Sequence, residues 1–415
     1  MPRTTALIIG AGQAGLAMSR CLSELAIDHV VLERGKVAQR WRSQSWDSLR
    51  LLTPNWMTRL PGFQYDGDDP DGFMSAPQVI AFFERYAASS AAPIVTDTAV
   101  QSVERGGHDF RVATSHGEWS ASSVVVATGY CDLPAIPVAS RSLAPSVLQI
   151  AAPDYRRPEQ LPAGGVLVVG ASATGVQLAD EIQRSGRQVT LAVGRHTRLP
   201  RSHRGRDILW WLDRIGVLSQ NADAVGDLER SRHQPSMQLV GRSDRASLDL
   251  GVLHDEGVRL VGRIRDIDGH RVSLADDLVS TMSAADIKMA EVLTRIDRFI
   301  ATAGVDAGPR EPFTPTWPHA IAAGAPAGLN LHGERIETVI WATGCRREYP
   351  WLHVPVLDAR GEIRHTGGMT PEAGLYVLGL NFQRRRNSSF IDGVGHDAWL
   401  IAHEIARSLT RVRVA

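Results

Sequence analysis

Apolar runs along this chain are short, and two of them end in glycine-rich turns. Leu7-Ile8-Ile9 runs into Gly10-Ala11-Gly12-Gln13-Ala14-Gly15, and Val166-Leu167-Val168-Val169 runs into Gly170-Ala171-Ser172-Ala173-Thr174-Gly175. Beyond each turn the apolar positions change from contiguous to helical spacing, as at Ala14, Ala17, Met18 and Cys21. The pattern predicts a strand over 6–10, a helix over 14–25 and a strand over 28–33. It then repeats as strand 166–170, helix 174–185 and strand 188–193. A strand, a tight turn and a helix N-terminus in that order set backbone N–H groups and the positive end of a helix dipole against a pyrophosphate.

Between and beyond these units the pattern predicts a helix over 76–88 and an antiparallel meander at 98–103, 109–114 and 118–120. A buried strand over 123–130 follows and closes on Ala127-Thr128-Gly129; 336–344 repeats the move and closes on Ala342-Thr343-Gly344. Residues 132–164 carry six prolines and little periodicity, which predicts a crossover between domains. Residues 208–215 read as an amphipathic packed segment, 221–238 as a surface loop, 258–264 and 271–274 as short strands, and 314–328 as loop. A helix over 279–303 has an apolar stripe of Met282, Ile287, Val292, Leu293, Ile296, Phe299 and Ile300, which predicts core packing, with a lid or a homodimer contact as alternatives. A strand over 375–381 and a helix over 398–409 end the chain. The fold class is α/β: two Rossmann-like dinucleotide-binding domains, the second inserted in the first, with the antiparallel meander in the first. The divisions fall at 1–160, 161–332 and 333–415.

The chain has 415 residues, enough for two or three domains with large cores. Net charge is zero, which leaves no basic field for nucleic acid. Lys36 and Lys288 are the only lysines among 45 basic residues, so any single arginine cluster carries less weight than usual. Cys21, Cys131 and Cys345 are far apart and form no CxxC pair, which predicts a reducing, cytoplasmic setting without structural disulfides. No apolar run approaches the roughly 20 residues of a membrane span. The apolar N-terminus carries the glycine fingerprint and therefore reads as a core strand, not a signal peptide.

Within the first turn, Gly10 makes the bend, Gly12 lets backbone approach phosphate and Gly15 lets helix and strand pack closely. Glu33, 23 positions after Gly10, is placed to grip the hydroxyls of a ribose. At the second turn Ser172 replaces the central glycine. The equivalent of Glu33 is Val193, followed by Gly194-Arg195-His196. Losing the acid removes repulsion of a 2′-phosphate and a guanidinium supplies a partner for it, which favours NADPH over NADH. Residues 37–56 hold three tryptophans and several arginines, suited either to stacking on a large planar ring or to capping a sheet.

The fingerprint, Glu33, this Trp-rich segment and the run 50–61 (RLLTPNWMTRLP) resemble the flavin-containing monooxygenase superfamily, in particular the plant enzymes that form auxin and bacterial flavoproteins of similar length. The resemblance implies FAD at the first turn, held by Gly10, Gly12, Gln13, Ala14, Gly15, Glu33, Arg34, Arg40, Trp41, Leu52, Val100, Ala127, Thr128, Gly129, Gly379 and Phe390. It implies NADPH at the second, held by Gly170, Ser172, Ala173, Thr174, Gly175, Arg195, His196, Ala342, Thr343 and Gly344. Residues 148–155 depart from the fingerprint of many relatives, with Gln149 at the histidine position. Leu380 holds the position that is acidic in other two-dinucleotide oxidoreductases.

The implied activity is reduction of FAD by NADPH, then insertion of one oxygen atom of O2 into a small organic substrate through a flavin C4a-hydroperoxide. Asn55, with Thr53, Gln149 and Arg50 behind it, is the candidate catalytic set; no metal is implied. A disulfide reductase would need a redox-active cysteine pair, which the spacing does not offer. An NADPH oxidase or dehydrogenase with another acceptor, and a non-catalytic nucleotide sensor, remain as alternatives.

Overall fold

A computed structural model describes residues 1–309 and 318–414. The first sheet has seven strands. Ile94–Val95, His29–Leu32, Arg3–Ile9 and Gly117–Val126 are parallel neighbours in that order, and Leu375–Val377 joins parallel to the C-terminal half of Gly117–Val126. The N-terminal half of that strand pairs antiparallel with Asp109–Thr114, which pairs with Val100–Gly106. The strands predicted over 118–120 and 123–130 are thus one strand of ten residues, which ends at Val126. It serves the meander at one end and the nucleotide-binding layer at the other.

The second sheet is all parallel, in the order Leu148–Ala151, Ile336–Trp341, Gly165–Val169, Val189–Ala192, Arg259–Val261. It therefore takes in strands on both sides of 161–332. The edge strand Leu148–Ala151 lies in the proline-rich stretch predicted to be only a crossover, where four residues are too few to show a period. After Trp341 the chain re-enters the first sheet at Leu375–Val377, so the second unit is inserted in the first.

Helix Gln13–Glu24 packs its Ala14, Ala17, Met18 and Cys21 into the first core, against Ala398, Ile401, Ala402 and Ile405 of the helix Val394–Val414. That last helix starts four residues before the predicted position, because Gly393 and Gly395 mask its first turn in the sequence. Helix Leu278–Ala303 buries Leu278 and Met282 in the core of the second sheet, and Met289, Leu293, Ile296 and Ile300 in a cluster with Leu209, Trp211 and Leu212 of helix Ile208–Arg214 and with Met57. Ile287, assigned to that stripe from the sequence, is 61% exposed. It lies off the face that the 3.6-residue period sets by 282, 289, 293, 296 and 300.

Several short elements were not legible as such: helix Gln39–Ser43 inside the Trp-rich segment, helix Leu228–Arg232 in the predicted surface loop, and helix Pro318–Ala322 in the predicted loop over 314–328. Residues 314–317 of that loop lie outside the described residues. The reading of the cysteines is also corrected. Cys131 and Cys345 form a disulfide with Cα atoms 5.1 Å apart, although 214 positions separate them, while Cys21 is free and buried. The fold brings the pair together by pairing the short strands Leu133–Pro134 and Cys345–Arg346.

Candidate functional site: two glycine turns and the segment between them

Gly10 has φ +107°, and a Cβ there would lie 2.7 Å from the Ala127 carbonyl oxygen. A Cβ on Gly15 would lie 1.8 Å from the Gly10 carbonyl oxygen. Both glycines are thus demanded by protein packing. Gly12 is different: nothing stands within 4 Å of the Cβ position. It N-caps Gln13–Glu24 with no side-chain cap, leaving the first N–H groups of the helix free for an anion. Glu33, 7% exposed, accepts from the Ala11 N–H (2.7 Å) and the Gly35 N–H (3.0 Å). Two backbone donors therefore hold the carboxylate at the edge of the turn.

The second turn repeats this construction. Gly170 has φ +106° with a Cβ position 2.4 Å from the Ala342 carbonyl oxygen, and the Cβ position of Gly175 is 1.8 Å from the Gly170 oxygen. Ser172 N-caps Ala173–Arg184 without a side-chain hydrogen bond, so this helix N-terminus is open as well. The repeated Ala-Thr-Gly now has a structural reason. Each alanine carbonyl wedges beneath the turning glycine of its unit, and Gly129 (φ +85°) and Gly344 (φ +89°) then turn the chain away.

No carboxylate answers Glu33 at the second turn. Arg195 there is exposed, with no ion pair or hydrogen bond among the described residues. Burial lowers the pKa of His196, whose Nδ1 lies 3.0 Å from the Gly194 oxygen. Arg198 is committed elsewhere, to Asp249 (2.7 Å) and Asp286 (2.5 Å).

Residues 37–57 run between the units. The Arg40 guanidinium lies 3.7 Å from the Cβ position of Gly129, and burial lowers its pKa. Arg34 pairs with Asp132 at 3.3 Å. Trp41 packs against the first core, whereas Trp46 is buried in the second, beside Leu49. Trp46 is therefore a clamp between units and is not free to stack on a ring. Arg201 of the second unit, 1% exposed, donates to the Leu52 carbonyl (2.8 Å), pairs with Asp207 and lies 4.8 Å over the Phe73 ring. Gln238 donates to the Ala171 carbonyl within the second turn at 2.7 Å, and the Cβ position of Gly241 is 2.1 Å from the Leu51 carbonyl oxygen. The contacts of Arg201 with Leu52 and of Gln238 with Ala171 could not be read from the sequence because 149 and 67 positions separate the partners.

The candidate catalytic set is only partly assembled. Arg50, Thr53 and Asn55 share one loop. The Asn55 amide, 4% exposed, donates to the Asp69 carbonyl (2.9 Å) and accepts from the Met74 N–H (2.8 Å), so it ties that loop to the next. Arg50 donates to the Phe73 carbonyl (2.9 Å). The Thr53 hydroxyl makes no hydrogen bond among the described residues. Gln149 lies apart, on the edge strand of the second sheet, where its amide donates to the Ser140 carbonyl and accepts from the Trp341 indole at 3.1 Å.

The return segment closes over the first turn. The Cβ position of Gly379 is 2.9 Å from Ala14 Cβ, and the Gln13 amide donates to the Ser389 carbonyl at 3.2 Å. Phe390 packs partly against the cluster of Met57 and Leu209, and Val100 partly against the third core. Asp397, in the first turn of Val394–Val414, is fully buried. Burial pushes its carboxyl up from 3.8 to about 6, against the pull of Ser388, Arg384 and Arg385. Asp392, 3.6 Å from Arg59, is raised to about 6 for the same reason.

An acid whose folded-state pKa is raised favours the folded state while protonated. That contribution is complete below about 4 and is lost as pH rises through about 6. The thermal midpoint should therefore fall between pH 4 and 6, and Asp397→Asn should shrink the fall when midpoints are compared across that range. An unchanged slope would show that Asp397 does not titrate there.

Among the described residues, no helix is long and apolar enough to cross a membrane. The pyridine nucleotide-disulphide oxidoreductase family matches over residues 7–213. A CzcO-like oxidoreductase of Geobacillus kaustophilus is 32% identical over 404 residues, spanning 96% of this chain and 97% of the relative. The probable indole-3-pyruvate monooxygenase YUCCA4 of Arabidopsis thaliana is 30% identical over 416 residues, spanning 96% and 89%. A flavin-containing monooxygenase structure from Stenotrophomonas maltophilia superposes with a TM-score of 0.69 at 18% identity, covering 99% of this chain and all of that one.

Proposed function

Since the chain belongs to the flavin-monooxygenase-like oxidoreductases, and is thus an FAD-dependent oxidoreductase with a second site for NAD(P)H, we propose that it is an NADPH-dependent monooxygenase of a small organic substrate. The observation that carries this reading is the duplicated open turn. Two helix N-termini are left without side-chain caps, one beside a fixed carboxylate and the other beside an unpaired arginine.

When bound, the flavin supplies the two-electron chemistry and the activation of O2. The protein binds and positions. The free N–H groups after Gly12 and Ser172 take the two pyrophosphates, Glu33 takes the ribose of the first dinucleotide, and Arg195 the 2′-phosphate of the second. Arg40, above Gly129, adds positive charge at the first turn. The N-terminus of Val394–Val414, which follows the return segment, would present a positive dipole end and would favour negative charge on the reduced flavin. The buried clamp of Trp46, Arg201 and Gly241 keeps water out from between the units. Thr53, with its hydroxyl unused, and Arg50 are the proposed polar neighbours of the reacting atoms; Asn55 and Gln149 hold their surroundings in place.

Turnover with amines, thioethers, ketones and 2-oxo acids, read by product mass with peroxide quantified, tests the proposal. Oxygenated product matching NADPH consumed is expected, whereas peroxide alone would overturn it in favour of an oxidase. Arg195→Ala is expected to raise KM for NADPH roughly 10- to 100-fold, the loss of a charge-assisted contact of about 1.5–3 kcal/mol, with little change for NADH. Equal effects on both coenzymes would remove Arg195 from the phosphate site.

A further inference from the structure

Two stretches of chain carry the connections between the units, one leaving Ala127-Thr128-Gly129 and one leaving Ala342-Thr343-Gly344. Cys131 is two residues beyond Gly129 and Cys345 is the residue after Gly344. The stretches meet only briefly. Cys345 pairs with Pro134 and Arg346 with Leu133, the Ala135 N–H donates to the Gly344 carbonyl (3.0 Å), and the Thr343 hydroxyl donates to the Ala135 carbonyl (2.7 Å). The disulfide is the one covalent tie across this contact, and neither cysteine belongs to a hydrophobic core.

We propose that Cys131 and Cys345 form a reversible thiol–disulfide site, exchanging with low-molecular-weight disulfides and thiols, that fastens the two crossovers together when oxidised. Both residues are half-buried, within reach of a small reagent, whereas Cys21 is buried in the first core. The bridge takes no part in core packing; like other disulfides it acts by restraining the chain. This one lies on a contact that backbone hydrogen bonds already hold, so opening it leaves the fold in place and changes only how firmly the crossovers are joined. Exchange passes through a thiolate. Arg346 and Arg347 follow Cys345 directly, and the Arg347 guanidinium donates to the carbonyl of Tyr130, next to Cys131, at 3.4 Å. Arg346 is paired with Glu348, Arg347 with Glu362 at 2.8 Å, and Asp132, next to Cys131, with Arg34 at 3.3 Å, so each charge beside the sulfurs is matched by one of opposite sign and the site rests on access and on the meeting of the two stretches.

In the oxidising direction, one cysteine thiolate attacks a disulfide RSSR and forms a mixed disulfide as RS⁻ leaves. The second thiolate attacks the protein-side sulfur, closes the Cys131–Cys345 bond and releases the second RS⁻. Two electrons pass to RSSR, and the two thiol protons end on two RSH.

The inference does not depend on the oxygenation reaction, and its test reads sulfur and backbone. The full-length protein is equilibrated in glutathione buffers from fully oxidised to fully reduced, alkylated without denaturant, and weighed intact. Two tags per chain are expected in the reduced limit and none in the oxidised limit, with Cys21 unlabelled throughout. Hydrogen exchange over residues 129–137 and 343–349 is expected to be at least several-fold slower in the oxidised protein. Cys131→Ser and Cys345→Ser should each show the fast exchange in every buffer; if either fails to fold, the wild-type chain in the two limits makes the same comparison. A tag count that stays constant across the buffers, or exchange rates that ignore the state of the bridge, would overturn the proposal.

Discussion

A Gly12→Val variant should fold normally and emerge from purification without its yellow flavin. Gly12 has φ −88° and ψ −169°, extended backbone that any residue adopts, and its Cβ position faces open space. Valine therefore costs the apo fold little. It does fill the room a pyrophosphate needs to reach the helix N–H groups. Losing even two such contacts at about 1.5 kcal/mol each weakens binding on the order of 100-fold. Absorbance per chain after gel filtration reads the flavin, and circular dichroism reads the fold. Gly15→Ala is the contrast: its methyl would meet the Gly10 carbonyl, so fold and flavin should fail together. Ser172→Val should keep the flavin and lose reduction by NADPH. Full flavin occupancy in Gly12→Val would remove the first turn as the seat of the pyrophosphate.

Arg201→Ala should be the most destabilising single change on the contact between the units. Removing the guanidinium strands Asp207, whose pKa burial already raises, and vacates the Leu52 carbonyl and the face of Phe73. Breaking one side of a buried pair costs about 3–5 kcal/mol. Asp207 also N-caps Ile208–Arg214 through the Leu209 N–H at 2.8 Å, so that helix should loosen as well. The double variant Arg201→Met with Asp207→Asn should recover much of the loss, because no charge is then left buried alone. Denaturant unfolding of the three proteins measures this. A loss below about 1 kcal/mol in Arg201→Ala would mean that water reaches Asp207 and that the contact is looser than its burial indicates.

What could be read from the sequence was what local chemistry enforces. Gly10, Gly15, Gly170 and Gly175 are dictated within a few residues by a bend and a close approach, so the turns, their helices and the following strands could be placed from spacing. Glu33 and the missing acid at Val193 followed by counting. Contacts made across the fold left no such trace. The Trp-rich segment left ring stacking and sheet capping open, because nothing near Trp46 in sequence shows which core receives it; it proves to be buried in the second. Asn55 and Gln149 were candidates for the catalytic set, and nothing in the sequence pointed to their partners Asp69, Met74, Ser140 and Trp341. Arithmetic on Cys131 and Cys345 could not foresee a strand pair that brings them together. Resemblance to a family supplied the cofactors, which spacing alone suggested only as two dinucleotides.

The wedge beneath each turning glycine consists of a peptide oxygen, supplied by Ala127 in one unit and Ala342 in the other. Beyond the requirement for glycine at 10 and 170, that fit uses backbone alone and no particular side chain at 127 or 342. Substitutions at Ala127 or Ala342 that keep the backbone in place should therefore leave the bend at Gly10 or Gly170 unchanged.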